Sequence, residues 1–453
     1  MRRDEPVYGP AAGVTCQERF VAHQAQPESH GGHHHAHRST NSWLLLFVAA
    51  AAGIPALVLR LSGHHINPEL TALLCGLGIL GAAFLLSWAL EVAQLHISAA
   101  LAIAILALIA ILPEYAIEAV LALDAGAAWT EGANPELVPE VARAAANVTG
   151  ANRLLIGLGW SLVALFFWMR NRRDLVMGRA MSLEFTILTI ATVLTFLLYF
   201  FHELSLILSG VLVAMYLFYL WASSRQPSEE PELVGPSAAI GALPRRPQIA
   251  VTIFLVVYAA GVIFAAAEPF VEGLVDTGLK FGIPEFTLIQ WLAPLASESP
   301  ELVIALLLTL RGNPLAGMTA LVSSEVSQLT LLIGSMPILF SFSFGEAHSF
   351  PLDHQQTVEF LLTGAMSLFA IVLLARMRIP LYGALGLLGL FVAHLFFTDP
   401  QHRMLFSLLF LALAALILVL DRGRVVDMWR RGKEVFSFGR AQGSEQTGSL
   451  PPM

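Results

Sequence analysis

The sequence is short of charge and of cysteine. Only 13% of its 453 residues are charged and 56% are hydrophobic, whereas a soluble domain carries about 25% charged residues. Such a chain cannot cover itself with a water-compatible surface, so a soluble globular protein is excluded. The net charge of -8, with no strongly basic segment, argues against nucleic acid as a partner. Cys16 lies in a polar tail and Cys75 in an apolar run, so we expect no disulfide between them.

Signature motifs of enzymes and of ATP-driven pumps are also missing. The chain has no Gly-x-x-x-x-Gly-Lys-Ser/Thr loop, no His-Glu-x-x-His motif and no pair of aspartates within its apolar runs. We therefore predict neither an intramembrane hydrolase nor a nucleotide-driven pump, and no cofactor. A channel is a third alternative, and the inverted hairpins described below favour alternating access over a continuous pore.

Long apolar runs dominate what is present. Runs of about 20 residues, enough to cross a bilayer as a helix, recur from Trp43 to Leu420. Since a backbone in lipid must satisfy its own hydrogen bonds, these runs predict an all-α polytopic membrane protein. The predicted spans, about twelve, are 43–62, 69–90, 97–124, 142–169, 184–201, 203–221, 249–268, 285–310, 314–339, 356–376, 380–397 and 403–421.

Basic residues test this count. With twelve spans the main clusters all fall on one side of the membrane, with Lys280 and Arg403 as exceptions on the other. By the positive-inside rule both termini are predicted to be cytoplasmic, in a cell (inner) membrane. The first basic residues of these clusters are Arg2, Arg170, Arg225, Arg311, Arg376 and Arg422.

A proline- and glutamate-rich stretch divides the chain into two halves. The predicted organisation is a disordered, His-containing cytoplasmic tail (1–42), an extra helix (43–62), a first repeat (69–221), a cytoplasmic linker (222–248), a second repeat (249–397), a further extra helix (403–421) and a cytoplasmic tail (422–453). The tract His30–His37 has two interpretations. Such tracts bind Zn²⁺ or Ni²⁺, but they are more often solvated tails, and the question stays open.

The two halves share a weak internal repeat. Each has Pro-Glu inside an apolar run, Pro113-Glu114 and Pro300-Glu301. A proline there frees backbone carbonyls, and carbonyls beside a carboxylate are hard ligands that suit Ca²⁺, Na⁺ or Mn²⁺. Each Pro-Glu helix is followed by a helix with polar residues at its centre, and the predicted topology inverts one copy relative to the other. Inverted repeats with broken helices are typical of secondary transporters.

These segments resemble the α-repeats of the Ca²⁺/cation antiporter superfamily, the sodium/calcium exchanger membrane domain. The resemblance implies a 5+5 inverted-repeat fold, here with one extra helix at each end. It implies that Glu114 and Glu301 are the central ion-binding carboxylates. Departures from the family pattern are Ile111-Leu112 in place of Thr-Ser and an insertion at 126–140. The remaining implied ligands are Asn147, Asn152, Glu325 and Gln328, with Glu118, Glu298, Arg153, Ser297 and Ser324 placed around them.

The resemblance implies an antiporter that exchanges a cation, Ca²⁺ in the first place, against Na⁺ or H⁺. Two alternatives stay open. One is exchange of another cation, monovalent or a transition metal. The other is a non-transporting membrane protein whose site is neutralised by Arg153. We favour a structural role for Arg153, with its guanidinium held by Glu325 or Glu298. Inorganic cations and the bilayer are the expected partners, and the oligomeric state stays open.

Overall fold

Helices make up nearly all of the chain that the structure describes. The computed structural model describes residues 39–63, 66–96, 111–177, 181–225, 233, 235–430 and 432. The tract His30–His37, Cys16, most of the predicted tails and residues 97–110 of the third predicted span lie outside these residues. The helices are α1 Ser39–Ser62, α2 Pro68–Ala93, α3 Leu112–Ala128, α4 Pro139–Leu154, α5 Ser161–Asn171, α6 Ser182–Phe201, α7 Leu206–Ser223, α8 Pro236–Gly241, α9 Arg245–Phe281, α10 Glu285–Leu310, α11 Pro314–Ser327, α12 Ile333–Phe344, α13 His354–Leu374, α14 Leu381–Leu395 and α15 Pro400–Leu420.

Short irregular elements join these helices. A π-helical segment continues α4 into α5 (Leu155–Trp160), and another continues α11 into α12 (Gln328–Leu332). A 3₁₀ turn covers Pro135–Leu137. Four two-residue strands lie in loops: β1 Leu175–Val176, β2 Glu203–Leu204, β3 Phe350–Pro351 and β4 Arg378–Ile379.

The described helices confirm an all-α polytopic membrane protein. Nine spans are long and apolar enough to cross a bilayer, with α4–α5 and α11–α12 each counted as one. Among the described residues, a tenth candidate is helix α10 if it is counted as one bent span, since its parts Glu285–Ser299 and Glu301–Leu310 meet at 50°. Helix α14 is a shorter apolar helix. The total of twelve spans and the 5+5 layout stay predictions.

Helix ends follow local sequence signals. Proline stands in the first turn of α2, α3, α4, α11 and α15, where its missing N–H costs no helical bond. Helix α13 begins with a capping box: Asp353 Oδ1 accepts from the Gln356 N–H at 2.6 Å, and Gln356 Oε1 accepts from the Asp353 N–H at 3.1 Å. The bend in α10 falls at Pro300, which cannot donate a helical hydrogen bond.

Helix α9 extends further than its predicted span. The apolar run ends at Glu268, and the span was therefore predicted to end there. The helix instead continues through Pro269 to Phe281 and ends at Gly282, whose φ is +65°. Loss of apolar character marks the edge of the bilayer, whereas a helix ends only where its backbone bonding ends, here at a left-handed glycine.

The two halves pack against each other along several pairs of helices. Helix α2 packs on α9, α6 on α13, α3 on α12, and α4 on α10. In each of these pairs one helix comes from the first half of the chain and the other from the second half. Two antiparallel ladders likewise join the two halves in the loops. Leu175 pairs with Ile379, and Leu204 pairs with Phe350. Each ladder thus joins two loops that the charge pattern also places on one side of the membrane.

Candidate cation-binding site

Helices α3 and α10 bring three carboxylates together. Glu114 lies in the first turn of α3, and Glu298 and Glu301 flank the bend of α10. One carboxylate oxygen from each lies within 4.8 Å of the others. Glu298 and Glu301 reach the same place because residues three apart share a helix face. We call these three residues the carboxylate cluster.

The carboxylate cluster is largely buried and has no basic partner in the described part of the chain. Glu114 and Glu298 are 4% and 0% exposed, and Glu301 is half-buried. The Oε2 atom of each is buried without a hydrogen-bond partner. Among the residues that the structure describes, none of the three forms an ion pair with Lys, Arg or His. Three carboxylates this close repel one another unless protons or a cation neutralise them, so the geometry favours binding of either.

Amide side chains hold two nearby glutamates in related ways. Asn147 Nδ2 donates to Glu118 Oε2 at 2.9 Å, from α4 to α3. Gln328 Nε2 donates to Glu298 Oε1, from the start of the second π segment to α10. Each half thus pairs an amide on its second polar helix with a glutamate on its Pro-Glu helix. Such bonds leave the remaining carboxylate oxygen of each glutamate free to accept a proton or a cation.

Asn152 and Glu325, like Asn147 and Gln328, are predicted ligands that lie outside the carboxylate cluster. Asn152 Nδ2 donates to its own helix at Val148 O, 2.7 Å away, and Asn152 Oδ1 is buried without a partner. Both carboxylate oxygens of Glu325 are buried and have no hydrogen-bond partner among the described residues. Their acceptor oxygens are therefore available, and their role as ligands stays a prediction.

The two predicted serines take different positions. The hydroxyl of Ser297 is buried and lies 3.3 Å from Ala293 O and 3.4 Å from Pro294 O, within its own helix. Ser324 is half-buried on α11. Ser297 is therefore occupied by helix carbonyls, and a role for either serine beside the cation stays a prediction.

Both halves of the chain match one known protein family. The family model for sodium/calcium exchanger proteins matches residues 70–225 and 251–398, which overlap the two predicted repeats. The chain belongs to this family. The family consists of membrane exchangers rather than enzymes, so the chain is an integral membrane protein of the Ca²⁺/cation antiporter superfamily. A search of curated proteins gave no significant match.

Solved structures support the family assignment. A crystal structure of the H⁺/Ca²⁺ exchanger CAX matches with 36% identity and a TM-score of 0.81, covering 88% of this chain and 100% of that chain. The Ca²⁺/H⁺ antiporter protein YfkE matches with 16% identity and a TM-score of 0.56, covering 78% of this chain and 98% of that chain. The second match shows the shared fold alone.

Arg153 of this exchanger-family chain has a different partner from the one expected. Its Nη1 atom lies 2.6 Å from Glu359 Oε2, and its Nε donates to Thr149 O at 3.0 Å. The expectation that Glu325 or Glu298 holds its guanidinium is wrong. Glu359 lies within the apolar run of α13, which packs against α4, and both Glu359 and Arg153 are fully buried. In this structure Arg153 does not form an ion pair with the carboxylate cluster.

Sequence reasoning underrated one residue and missed another. Glu298 was placed beside the site, whereas the structure makes it a third member of the carboxylate cluster. Its spacing from Glu301 was the available signal. Glu359 was passed over, although a charged residue inside an apolar span is expensive and seldom without a function.

A glycine sets the distance between helices α4 and α10, which carry residues of the candidate site. A Cβ atom built on Gly150 would lie 1.9 Å from the backbone oxygen of Gln290. Helix α4 can therefore approach α10 only because residue 150 has no side chain. This close approach fixes how the polar face of α4 lies relative to α10, which carries Glu298 and Glu301.

Proposed function

We propose that this protein is a secondary antiporter that exchanges Ca²⁺ for H⁺ by alternating access. The observation that carries the proposal is the carboxylate cluster, whose Oε2 atoms are buried and which has no basic partner among the residues that the structure describes. Ca²⁺ binds six to eight oxygens at about 2.4 Å, so oxygens up to about 5 Å apart can share one coordination shell. The three carboxylate oxygens, which lie within 4.8 Å of one another, meet this requirement.

Proton coupling follows from the same groups. A carboxylate that binds Ca²⁺ must be ionised, and the same oxygen is free to take a proton once the cation leaves. One Ca²⁺ and the protons therefore compete for Glu114, Glu298 and Glu301, which is the requirement for exchange. The 36% identical relative is described as an H⁺/Ca²⁺ exchanger, and this supports H⁺ over Na⁺ as the counter-ion.

The surrounding polar groups complete the proposed site. Asn147 and Gln328 orient Glu118 and Glu298, while Asn152 and Glu325 offer further oxygens. The bend of α10 and the π segments would let the two halves open the site to one side and then to the other. In this proposal both termini lie in the cytoplasm of a cell membrane, as the basic loops indicate.

Ion flux in proteoliposomes tests the proposal. Purified protein is reconstituted in vesicles with an acidic interior, and ⁴⁵Ca²⁺ uptake is followed after dilution into a more alkaline buffer. We expect uptake that needs the pH gradient and stops when an ionophore collapses it. Uptake at uniform pH driven by internal Na⁺ would instead make Na⁺ the counter-ion. No Ca²⁺ uptake under either gradient would overturn the proposal, and uptake of radiolabelled Mn²⁺ or Zn²⁺ under the same gradients would then identify another cation.

Substitution of Glu298 should show that the third carboxylate is a ligand. Glu298→Gln is expected to raise the KM for Ca²⁺ about tenfold or more, because one negative charge next to a divalent cation is lost. The measurement is initial ⁴⁵Ca²⁺ uptake as a function of Ca²⁺ concentration. Glu285→Gln is the matched control, since Glu285 lies on the same helix but binds Arg143, 2.7 Å away. Equal KM values for the two variants would remove Glu298 from the site.

A further inference from the structure

A second group of buried polar and charged side chains joins α4, α10, α13 and α15. Arg153 Nη1 is 2.6 Å from Glu359 Oε2, and Arg403 Nη1 is 3.5 Å from the same oxygen. Gln290 Nε2 donates to Glu359 Oε2 at 3.2 Å, while Gln290 Oε1 accepts from Arg403 Nη2 at 3.2 Å. All four side chains are at most 1% exposed. We call these four residues the arginine cluster.

The arginine cluster is not electrically balanced. Two guanidinium groups meet one carboxylate, which leaves a formal charge of one positive unit inside the membrane domain. A charge within a membrane domain is expensive and usually serves a function. Glu359 is therefore the group that keeps the positive charge at one unit instead of two.

The arginine cluster lies close enough to the cation site to influence it. Gln290 precedes Glu298 by eight residues on α10, which is about 12 Å along a helix. Arg153 directly follows Asn152 on α4. At an effective dielectric constant of about 20, a unit charge about 12 Å from a divalent cation changes its binding constant by roughly tenfold to hundredfold. Ionic screening is weak between buried groups.

One member of the arginine cluster comes from outside the matched family region. That region ends at residue 398, and Arg403 lies on α15. Helix α15 packs along α13, which carries Glu359. Beyond its far end, Arg424 Nη1 donates to Val372 O at 2.7 Å and to Leu373 O at 3.1 Å, at the end of α13. Helix α15 is thus fastened to α13 near both of its ends.

We propose that Glu359 is a positioning residue that shields the cation site from the two buried arginines, and that Arg403 makes α15 part of the transport unit. This inference rests on the proposed function, since it concerns the affinity of the same site. The net charge of the arginine cluster then sets the KM for Ca²⁺. Loss of an arginine lowers KM, and loss of Glu359 raises it.

The test is a series of variants that changes the cluster charge in unit steps. Arg153→Met and Arg403→Met bring the charge to zero, and Glu359→Gln brings it to two. The double variant Glu359→Gln/Arg403→Met returns it to one. We expect KM about tenfold lower for each arginine variant, about tenfold higher for Glu359→Gln, and close to wild type for the double variant. If Glu359→Gln does not fold, the two arginine variants and the double variant still carry the test.

Two controls separate charge from packing. Gln290→Leu removes hydrogen bonds of the arginine cluster without changing its charge, so it should lower the Tm and leave KM unchanged. Glu268→Gln removes the carboxylate of an exposed ion pair with Arg60, 2.9 Å away, and should change neither. If the arginine variants alter only the Tm, or the double variant keeps the KM of Glu359→Gln, the inference is overturned while the proposed function stands. Absence of Ca²⁺ exchange by the wild type would overturn both.

Discussion

Glutamine at position 114 or 301 is expected to abolish Ca²⁺ uptake driven by a pH gradient. Glutamine keeps the size of the side chain but can neither carry a negative charge nor bind a transported proton. Loss of one member of a buried charged pair costs about 2–5 kcal/mol, so we expect a fall in kcat/KM of about a hundredfold or more. Both Glu114 and Glu301 have a buried, unpartnered Oε2, so the loss should be of similar size in the two variants.

The measurement is ⁴⁵Ca²⁺ uptake by vesicles that contain equal amounts of correctly folded protein. Size-exclusion profiles and Tm values of the variants provide the check on folding. Glu114→Asp and Glu301→Asp retain the charge and should recover part of the uptake, while Glu285→Gln should behave as wild type. Undiminished uptake by either glutamine variant would show that the carboxylate cluster is not the transport site.

Alanine at position 150 is expected to have the second largest effect. Its Cβ atom would meet the backbone oxygen of Gln290, which cannot rotate away as a side chain could. Overpacking of this kind costs about 3 kcal/mol, and it would separate α4 from α10. We expect a marked fall in Tm in detergent and loss of Ca²⁺ uptake even where folded protein is recovered.

Gly261→Ala provides the matched control for this prediction. Gly261 lies within α9, and a Cβ atom there meets nothing within 4 Å. The Tm of the Gly261→Ala variant should be unchanged or slightly higher than that of the wild type, because alanine favours helix more than glycine does. A Tm for Gly150→Ala equal to that of Gly261→Ala would contradict the close approach of α4 and α10.

The sequence predicted the class of fold well because hydropathy and charge act along the chain. Apolar runs located most spans, and the Pro-Glu pairs located Glu114 and Glu301, whose side chains do lie together. The end of α9 was harder to predict from hydropathy, because Glu268 ends the apolar run without ending the helix. Residues 97–110, which complete the predicted third span, lie outside the part of the chain that the structure describes.

The partner of Arg153 could not be predicted for a different reason. A buried arginine requires a carboxylate, and the sequence offers several candidates at similar depth. The choice of Glu359 depends on α13 packing against α4, which no local pattern specifies. The same holds for Arg403, which the charge pattern placed in an outer loop and the structure buries at the start of α15. Its hydrogen bond to Gln290 depends on the packing of α15 against the other helices, which the sequence pattern does not specify.

The two short ladders have a consequence for the loops of the molecule. Leu175 and Ile379 are far apart in sequence, as are Leu204 and Phe350, yet each pair is joined by backbone hydrogen bonds. A displacement of α6 that carries either of its flanking strands must drag α13 with it or break a ladder. The two ladders therefore connect α6 to α13 through the loops at both ends of these helices. A residue inserted into either of these loops of one half would therefore also displace the loop of the other half with which it pairs.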